Sequence, residues 1–279
     1  MTAAEPTGAH DRWLVLRGAW TPPGELLRAV AQHRQLALAL GRKNFHVQYR
    51  RAALGLAWAV GLPLAQAVVL AVVFSRIGRF DVPHYPVFVF SGLVAFSAVQ
   101  GAVLSGTTAI VDNAGLSSKV YFPRAVLPLA QSVTTAYALA AGVVVLVCAA
   151  LVSGAPLGPR LLLLVPGALL AVALGTALSL VLSVAHVYLR DTKYVVQAVA
   201  FGWLWLTPVV YPLTAVDGAL RTVLLLNPAT GVVQLFHAAF AADVGTLAGA
   251  WTTVAWVLAL GGLAVVLHAR YDRVLADLL

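Results

Sequence analysis

Tyr49 is followed by two adjacent arginines, Arg50 and Arg51, just before an uncharged run that begins at Ala52. Paired guanidinium groups at such a boundary can clamp a phosphate or pyrophosphate, because their forked donors match its oxygens two at a time. The same pair also serves as a plain positive anchor where a chain enters a bilayer from the cytoplasm. The residues alone leave both readings open. Other chemistry is conspicuously missing. The seven histidines show no metal-ligand spacing. The lone cysteine, Cys148, allows neither an intramolecular disulfide nor a cysteine-based metal site. No phosphate-loop signature, no H-E-x-x-H and no G-x-S-x-G occurs, since Ser91-Gly92, Ser105-Gly106 and Ser153-Gly154 lack the glycine two positions before the serine. No catalytic residue and no metal site is predicted.

The elements that position these arginines follow from composition. Of 279 residues, 61% are hydrophobic and 10% charged, against about 25% charged in soluble domains. The mean hydropathy is +0.90. No water-soluble core hides that much apolar surface, so the chain is predicted to be membrane-embedded. Its net charge of +8 then reads as loop charge facing anionic lipid rather than as a nucleic-acid footprint.

Stretches without Asp, Glu, Lys or Arg run over 52–75, 82–111, 125–159, 161–189, 194–216, 222–242 and 244–269. About 20 apolar residues cross a bilayer as a helix, so six of these are predicted spans. The exception, 222–242, holds Asn227-Pro228, Thr230, Gly231, Gln234 and His237, which break and wet a helix. Residues 208–242 are therefore predicted to form short re-entrant helices between spans five and six. Six spans place fourteen of the eighteen Lys and Arg on the cytoplasmic side, eight of them within 1–51, as the positive-inside rule requires. Residues 1–50 hold no stretch of signal-peptide length. Both termini are expected in the cytoplasm.

The predicted fold is an all-α polytopic membrane protein of six transmembrane helices. It is divided into a cytoplasmic segment 1–51, a transmembrane domain 52–269 and a cytoplasmic tail 270–279. No acidic residue lies in the middle of a span. Proton- and sodium-coupled carriers usually place carboxylates there, which speaks against coupled secondary transport.

Two cytoplasmic features remain. Over Gly24–Lys43, one helical face carries Leu26, Leu27, Val30, Ala37, Leu38 and Leu40, with Leu36 and Arg34 out of pattern. This predicts an amphipathic helix on the inner leaflet, either as an anchor or as a cradle for a partner subunit or a substrate headgroup. The loop Asp112–Arg124 exposes Leu116, Val120, Tyr121 and Phe122 on this reading, and apolar groups on an aqueous loop indicate a protein contact or a seat on the membrane surface.

Five motifs occur in order: Tyr49-Arg50…Leu54-Gly55…Trp58…Pro63; Asn113…Leu116…Lys119-Val120-Tyr121-Phe122-Pro123-Arg124…Leu127-Pro128; Tyr188…Arg190-Asp191…Lys193-Tyr194; Thr207-Pro208…Tyr211-Pro212; and Asn227-Pro228. Together, over about residues 25–270, they resemble the ABC-2-type exporter permeases, and within them the polysaccharide and polyol-phosphate branch of the Wzm, KpsM and TarG type. The resemblance implies a homodimer of permeases driven by two separate ABC ATPase subunits. These partners bind the ATP and Mg, and this chain carries no cofactor. It implies that Asn113, Leu116, Lys119, Val120, Tyr121, Phe122, Pro123 and Arg124 form a coupling helix that docks on the ATPase, with Arg190, Asp191 and Lys193 in the second cytoplasmic loop. The 24–43 helix becomes the interface helix and 208–242 the external gate.

The implied cargo is a lipid-linked glycan of the O-antigen, capsule or teichoic-acid type, carried across the bacterial cytoplasmic membrane. Arg50, Arg51 and Tyr49 are then the headgroup candidates. Sugars stack on aromatic faces, which makes Trp58, Phe88, Phe90, Phe96, Phe201, Trp203, Trp205 and Tyr211 the candidate channel lining. The alternative within this resemblance is an exporter of a small molecule, peptide or lipid.

Overall fold

The computed structural model describes residues 21–50, 57–77, 82–117, 122–240 and 247–277. The described residues form helices and no strands. Two helices come first among the described residues, α1 (Pro23–Gln32) and α2 (Arg34–Arg50). Pro23 occupies the first helical position and Glu25 the first turn of α1, both favourable where N–H groups are unpaired. The single amphipathic helix expected over 24–43 is thus two helices, broken at His33, and the second runs on to Arg50. The break falls beside Arg34 and Leu36, the residues that spoil the apolar stripe. It lets Leu26 and Ala37 both turn inward while Leu27 and Leu38 stay exposed.

Next come α3 (Ala57–Ile77), apolar from Gly61 to Arg76, α4 (Tyr85–Asp112) and the single turn α5 (Ala114–Ser117). They are followed by α6 (Val126–Val152) and α7 (Leu164–Tyr188), the latter entered through a 3-10 turn at Pro159–Leu163. Gly154, at φ 69°, makes the sharp turn between them, a conformation costly for any residue with a Cβ. The chain closes with α8 (Thr192–Trp203), α9 (Gly218–Leu226), α10 (Thr230–Ala239) and α11 (Ala248–Asp277).

Among the described residues, four helical segments have the length and hydropathy to cross a membrane: Tyr85–Asp112, Val126–Val152, Pro159–Tyr188 and Ala248–Asp272. The pair α9 and α10 also passes when taken together, bent by 95° at Asn227-Pro228. The fifth expected span, 194–216, is helical only as far as Trp203. Its 12 residues rise about 18 Å, short of a bilayer core of about 30 Å. Pro208 and Pro212 supply the reason, since neither can donate to a helix and each disfavours helix in the residue before it.

The centre of the bundle is α4, buried along most of its length and packed most extensively on α7 and α6. Small residues allow that closeness. A Cβ built on Gly175 of α7 would lie 2.7 Å from the Cβ of Ala102 of α4, and Ser179 Oγ donates to the Ala102 carbonyl at 2.7 Å. Membrane helices associate through such close, small-residue seams because lipid offers no hydrophobic drive to bring them together. The seam between α2 and α6 repeats the device: Gly41 sits against Val133, and Thr134 Oγ1 donates to the Gly41 carbonyl at 3.1 Å. Residues 122–125, which lead into α6, are therefore held between helices with fixed mutual positions.

Candidate functional site

At one end of the bundle, three chain segments converge on the last turns of α11. The Thr21 N–H donates to the Ala269 carbonyl at 3.0 Å. The Arg124 N–H donates to Asp272 Oδ1 at 2.7 Å. Tyr188, at the end of α7, meets Tyr271 edge to face with ring centroids 5.8 Å apart. Residues 269–272 thus tie together the amino-terminal helices, the α5–α6 connection and the α7–α8 connection.

The α5–α6 connection holds the predicted coupling residues. Asn113 Nδ2 caps α4 by donating to the Ala109 carbonyl at 2.8 Å, and Leu116 is half-buried. Lys119, Val120 and Tyr121 lie outside the described residues. Phe122, expected to be exposed, is instead 1% exposed and packs in a core with Ala37, Ile110, Val126 and Leu127. Pro123 and Arg124 are buried with it. The Arg124 guanidinium donates to the Phe122 carbonyl at 2.6 Å and lies 5.5 Å from that ring's centroid. The correction has a plain physical cause: α2 folds across this connection and covers it. Phe122 and Arg124 hold the connection in place rather than offering their side chains to a second chain.

In the α7–α8 connection, Arg190 and Asp191 are exposed. Lys193 is half-buried, its ammonium 4.8 Å from the centroid of the Tyr194 ring. Arg51 lies outside the described residues, as do the side chains of Tyr49 and Arg50, which end α2.

The opposite end of the bundle is built around α10, every residue of which is buried. Its His237 ring stacks on Phe88 of α4 at 3.7 Å, and Tyr85 Oη donates to the Val210 carbonyl. Asn227 organises the bend. Its Oδ1 accepts from Trp203 Nε1 at 2.8 Å and from the Ala229 N–H at 3.0 Å, and its Nδ2 donates to the Leu206 carbonyl at 2.7 Å. Thr253 Oγ1 and Trp256 Nε1 on α11 bind the Pro228 and Leu226 carbonyls at 2.7 and 2.9 Å. Backbone groups freed by the bend are satisfied by side chains, the condition for irregular chain at membrane depth.

The eight aromatic candidates separate into two groups. Phe88, Phe90 and Phe96 are buried within the chain's own core. Trp203 meets Phe96 edge to face at 5.6 Å. Trp58, Phe201 and Trp205 remain exposed, Phe201 most of all at 76%, and Tyr211 is half-buried, its hydroxyl donating to the Trp205 carbonyl at 3.2 Å. The structure does not gather all eight on one surface.

Residues 35–241 match the family described as ABC-2 type transporter. The chain belongs to the ABC-2 type transporter family. It is 28% identical over 217 residues to the O-antigen export system permease protein RfbA of Myxococcus xanthus, covering 77% of this chain and 84% of that one. It is 22% identical over 203 residues to an O-antigen export system permease protein RfbA of Klebsiella pneumoniae, covering 71% and 77%, and 20% identical over 206 residues to a second protein of that name from the same organism, covering 74% and 80%. As an ABC-2 protein with several membrane-capable helices it is a multi-pass membrane transport subunit, not an enzyme.

This ABC-2 chain also holds a feature that no motif announced. A cavity of about 220 Å³ opens among α2, α3, α4 and α6, lined in part by Gln48, Ser97, Gln131 and Thr135. Each residue is unremarkable in its own helix. A weak signal was available in the recurrence of Ser97, Gly101 and Ser105 at four-residue spacing along α4, which places three small residues on one helical face.

Proposed function

We propose that this chain is the membrane-spanning subunit of an ATP-driven exporter that moves a lipid-linked polysaccharide across the bacterial cytoplasmic membrane. The reading is carried by the likeness to three O-antigen export permeases, each over more than seven-tenths of both chains. In this reading two copies of the chain enclose the path. Two ABC ATPase subunits, which bind ATP and Mg, supply the energy this chain cannot generate. Six spans, with α8 and the non-helical residues after it together making the fifth, both termini on the cytoplasmic side, and α9–α10 as an external re-entrant gate complete the arrangement. Segment 1–51 lies on the inner leaflet, 52–269 in the membrane and 270–279 in the cytoplasm.

The mechanism follows from α4. This helix of 28 residues rises about 38 Å from the Phe88–His237 stack on the gate to Asn113 at the coupling connection. A push delivered to residues 112–124 by a closing ATPase dimer reaches α10 through one rigid element, so a two-state rocking of α4 biases the gate. Leu116, Lys119, Val120 and Tyr121 supply the docking contacts in this scheme, with Arg190, Asp191 and Lys193 at the neighbouring connection. Arg50 and Arg51 hold the pyrophosphate of the cargo, with Tyr49 beside them. Trp58, Phe201, Trp205 and Tyr211 offer aromatic surface to the sliding glycan.

The test is co-purification with the ATPase, followed by ATPase assay in proteoliposomes. Stimulation by a polyprenyl-pyrophosphate-linked glycan is the expected result. A complex that responds only to small amphiphiles, or a chain that recruits no ATPase, overturns the reading.

A further inference from the structure

We propose that the cavity among α2, α3, α4 and α6 is a sugar-binding subsite, which takes an uncharged, hydroxyl-rich monosaccharide unit of the cargo while the phosphate is held elsewhere. The proposal rests on the polysaccharide reading above and names one place where the chain meets the glycan.

Its physical basis is unused hydrogen-bonding capacity gathered around one cavity. Among the described residues, the side chains of Gln48, Ser97, Gln131 and Thr135 have no hydrogen-bond partner, yet all four line the cavity. Ser105 and Thr134, which also line it, already donate to the Gly101 and Ala130 carbonyls but keep acceptor lone pairs. Unused donors and acceptors gathered around one space suit a polar occupant that can give and take hydrogen bonds. At about 220 Å³ it is far larger than the roughly 10–15 Å³ that admits one water.

The lining also selects the class of occupant. Among the described lining residues there is no Lys, Arg, Asp or Glu, so nothing neutralises a phosphate. Amides and hydroxyls donate and accept alike, as sugar hydroxyls do. Pro63, Val94 and Leu139 provide apolar wall for the C–H faces of a ring. Glycine makes the room: at Gly101 an added Cβ would meet nothing within 4 Å. Location agrees with this division of labour. Gln48 stands two residues before Arg50, and Ser105 lies seven residues, about 10 Å, from the Asp112 end of α4.

The experiment uses the permease–ATPase complex in proteoliposomes. Gln131→Leu and Thr135→Val remove polar atoms at nearly constant volume, and Gly101→Leu fills the open space. For each, the concentration of polyprenyl-pyrophosphate-linked oligosaccharide giving half-maximal ATPase stimulation should rise about 2- to 10-fold, the equivalent of one lost hydrogen bond. The response to bare polyprenyl pyrophosphate should stay unchanged.

In a Cys148→Ser, Thr135→Cys background, the oligosaccharide lipid should protect the new thiol from a charged thiol reagent. Bare polyprenyl pyrophosphate and phosphatidylglycerol vesicles should not. Wild-type half-saturation in all three variants, or equal protection by the sugar-free lipids, overturns the subsite while leaving the polysaccharide reading intact. A wild-type complex that ignores every lipid-linked glycan overturns that reading and the subsite with it. Monodisperse complex recovered at wild-type yield for Thr135→Val shows that a changed response is not a folding defect.

Discussion

The main-chain N–H of Arg124 donates to the carboxylate of Asp272 at 2.7 Å, across 148 positions of the chain. One residue lies at the end of the coupling connection, two positions before α6; the other sits near the end of α11. The bond makes the connection part of a framework that also includes the amino-terminal helices and the end of α7. A force applied there is thus shared among helices instead of being absorbed by a loose loop.

Removing that acceptor should be felt twice. Asp272→Ala leaves a buried N–H without its partner, a loss of about 1–3 kcal/mol, so the Tm of the purified protein falls. Asp272→Asn retains an acceptor oxygen and should lose less. If the connection transmits force, Asp272→Ala also weakens glycan-stimulated ATPase activity more than its residual folded fraction explains. Thermal unfolding beside the ATPase assay measures both effects.

Phe122 separates burial from docking. Because the ring is enclosed by Ala37, Ile110, Val126 and Leu127, Phe122→Ala should cost about 3–5 kcal/mol, as truncations of buried aromatics do, and should reduce the yield of folded protein. A polar change at the half-buried Leu116, such as Leu116→Asp, should leave yield largely intact and weaken ATPase binding. Detergent-solubilised yield and pull-down of the ATPase distinguish these outcomes.

Asn227 makes hydrogen bonds to four residues at the α9–α10 bend. Asn227→Ala strands the Trp203 indole N–H and the Ala229 N–H, with an expected loss of about 1–3 kcal/mol for each buried group left unpaired. Asn227→Asp keeps an oxygen to accept both bonds and loses only the donor, so it should fall between Ala and wild type in Tm. Equal losses for the two variants would show that the donor side dominates.

The seam between α4 and α7 tolerates no extra volume. Gly175→Leu drives a side chain into Ala102, and overpacking of this kind costs about 1–3 kcal/mol. Gly262→Ala on α11, where an added Cβ meets nothing within 4 Å, should be neutral or slightly stabilising. Size-exclusion profiles and Tm values of the two variants compare them directly.

Arg50→Ala with Arg51→Ala should impair glycan export while leaving membrane insertion unchanged, because the pair contributes to cargo binding and the remaining inner-side cations still orient the chain. Unchanged export at normal protein level would remove the headgroup assignment.

Composition and charge determined on their own that this is a helical membrane chain, and the uncharged stretches 82–111, 125–159, 161–189 and 244–269 overlap the four membrane-capable helices α4, α6, α7 and α11. A one-dimensional pattern suffices there, because crossing hydrocarbon requires a long uninterrupted apolar helix. The prolines near 208–228 likewise announced irregular backbone. The pattern did not foresee the break at His33, the shortness of α8, the inward turn of Phe122 and Arg124, or the cavity around Gln131. Each depends on what a second helix does: α2 covering the coupling connection, α11 supplying Asp272, and α2, α4 and α6 bringing polar side chains to a space that α3 helps to wall. Inside a bilayer every polar group must find a partner, and which partner it finds is decided only when distant helices meet.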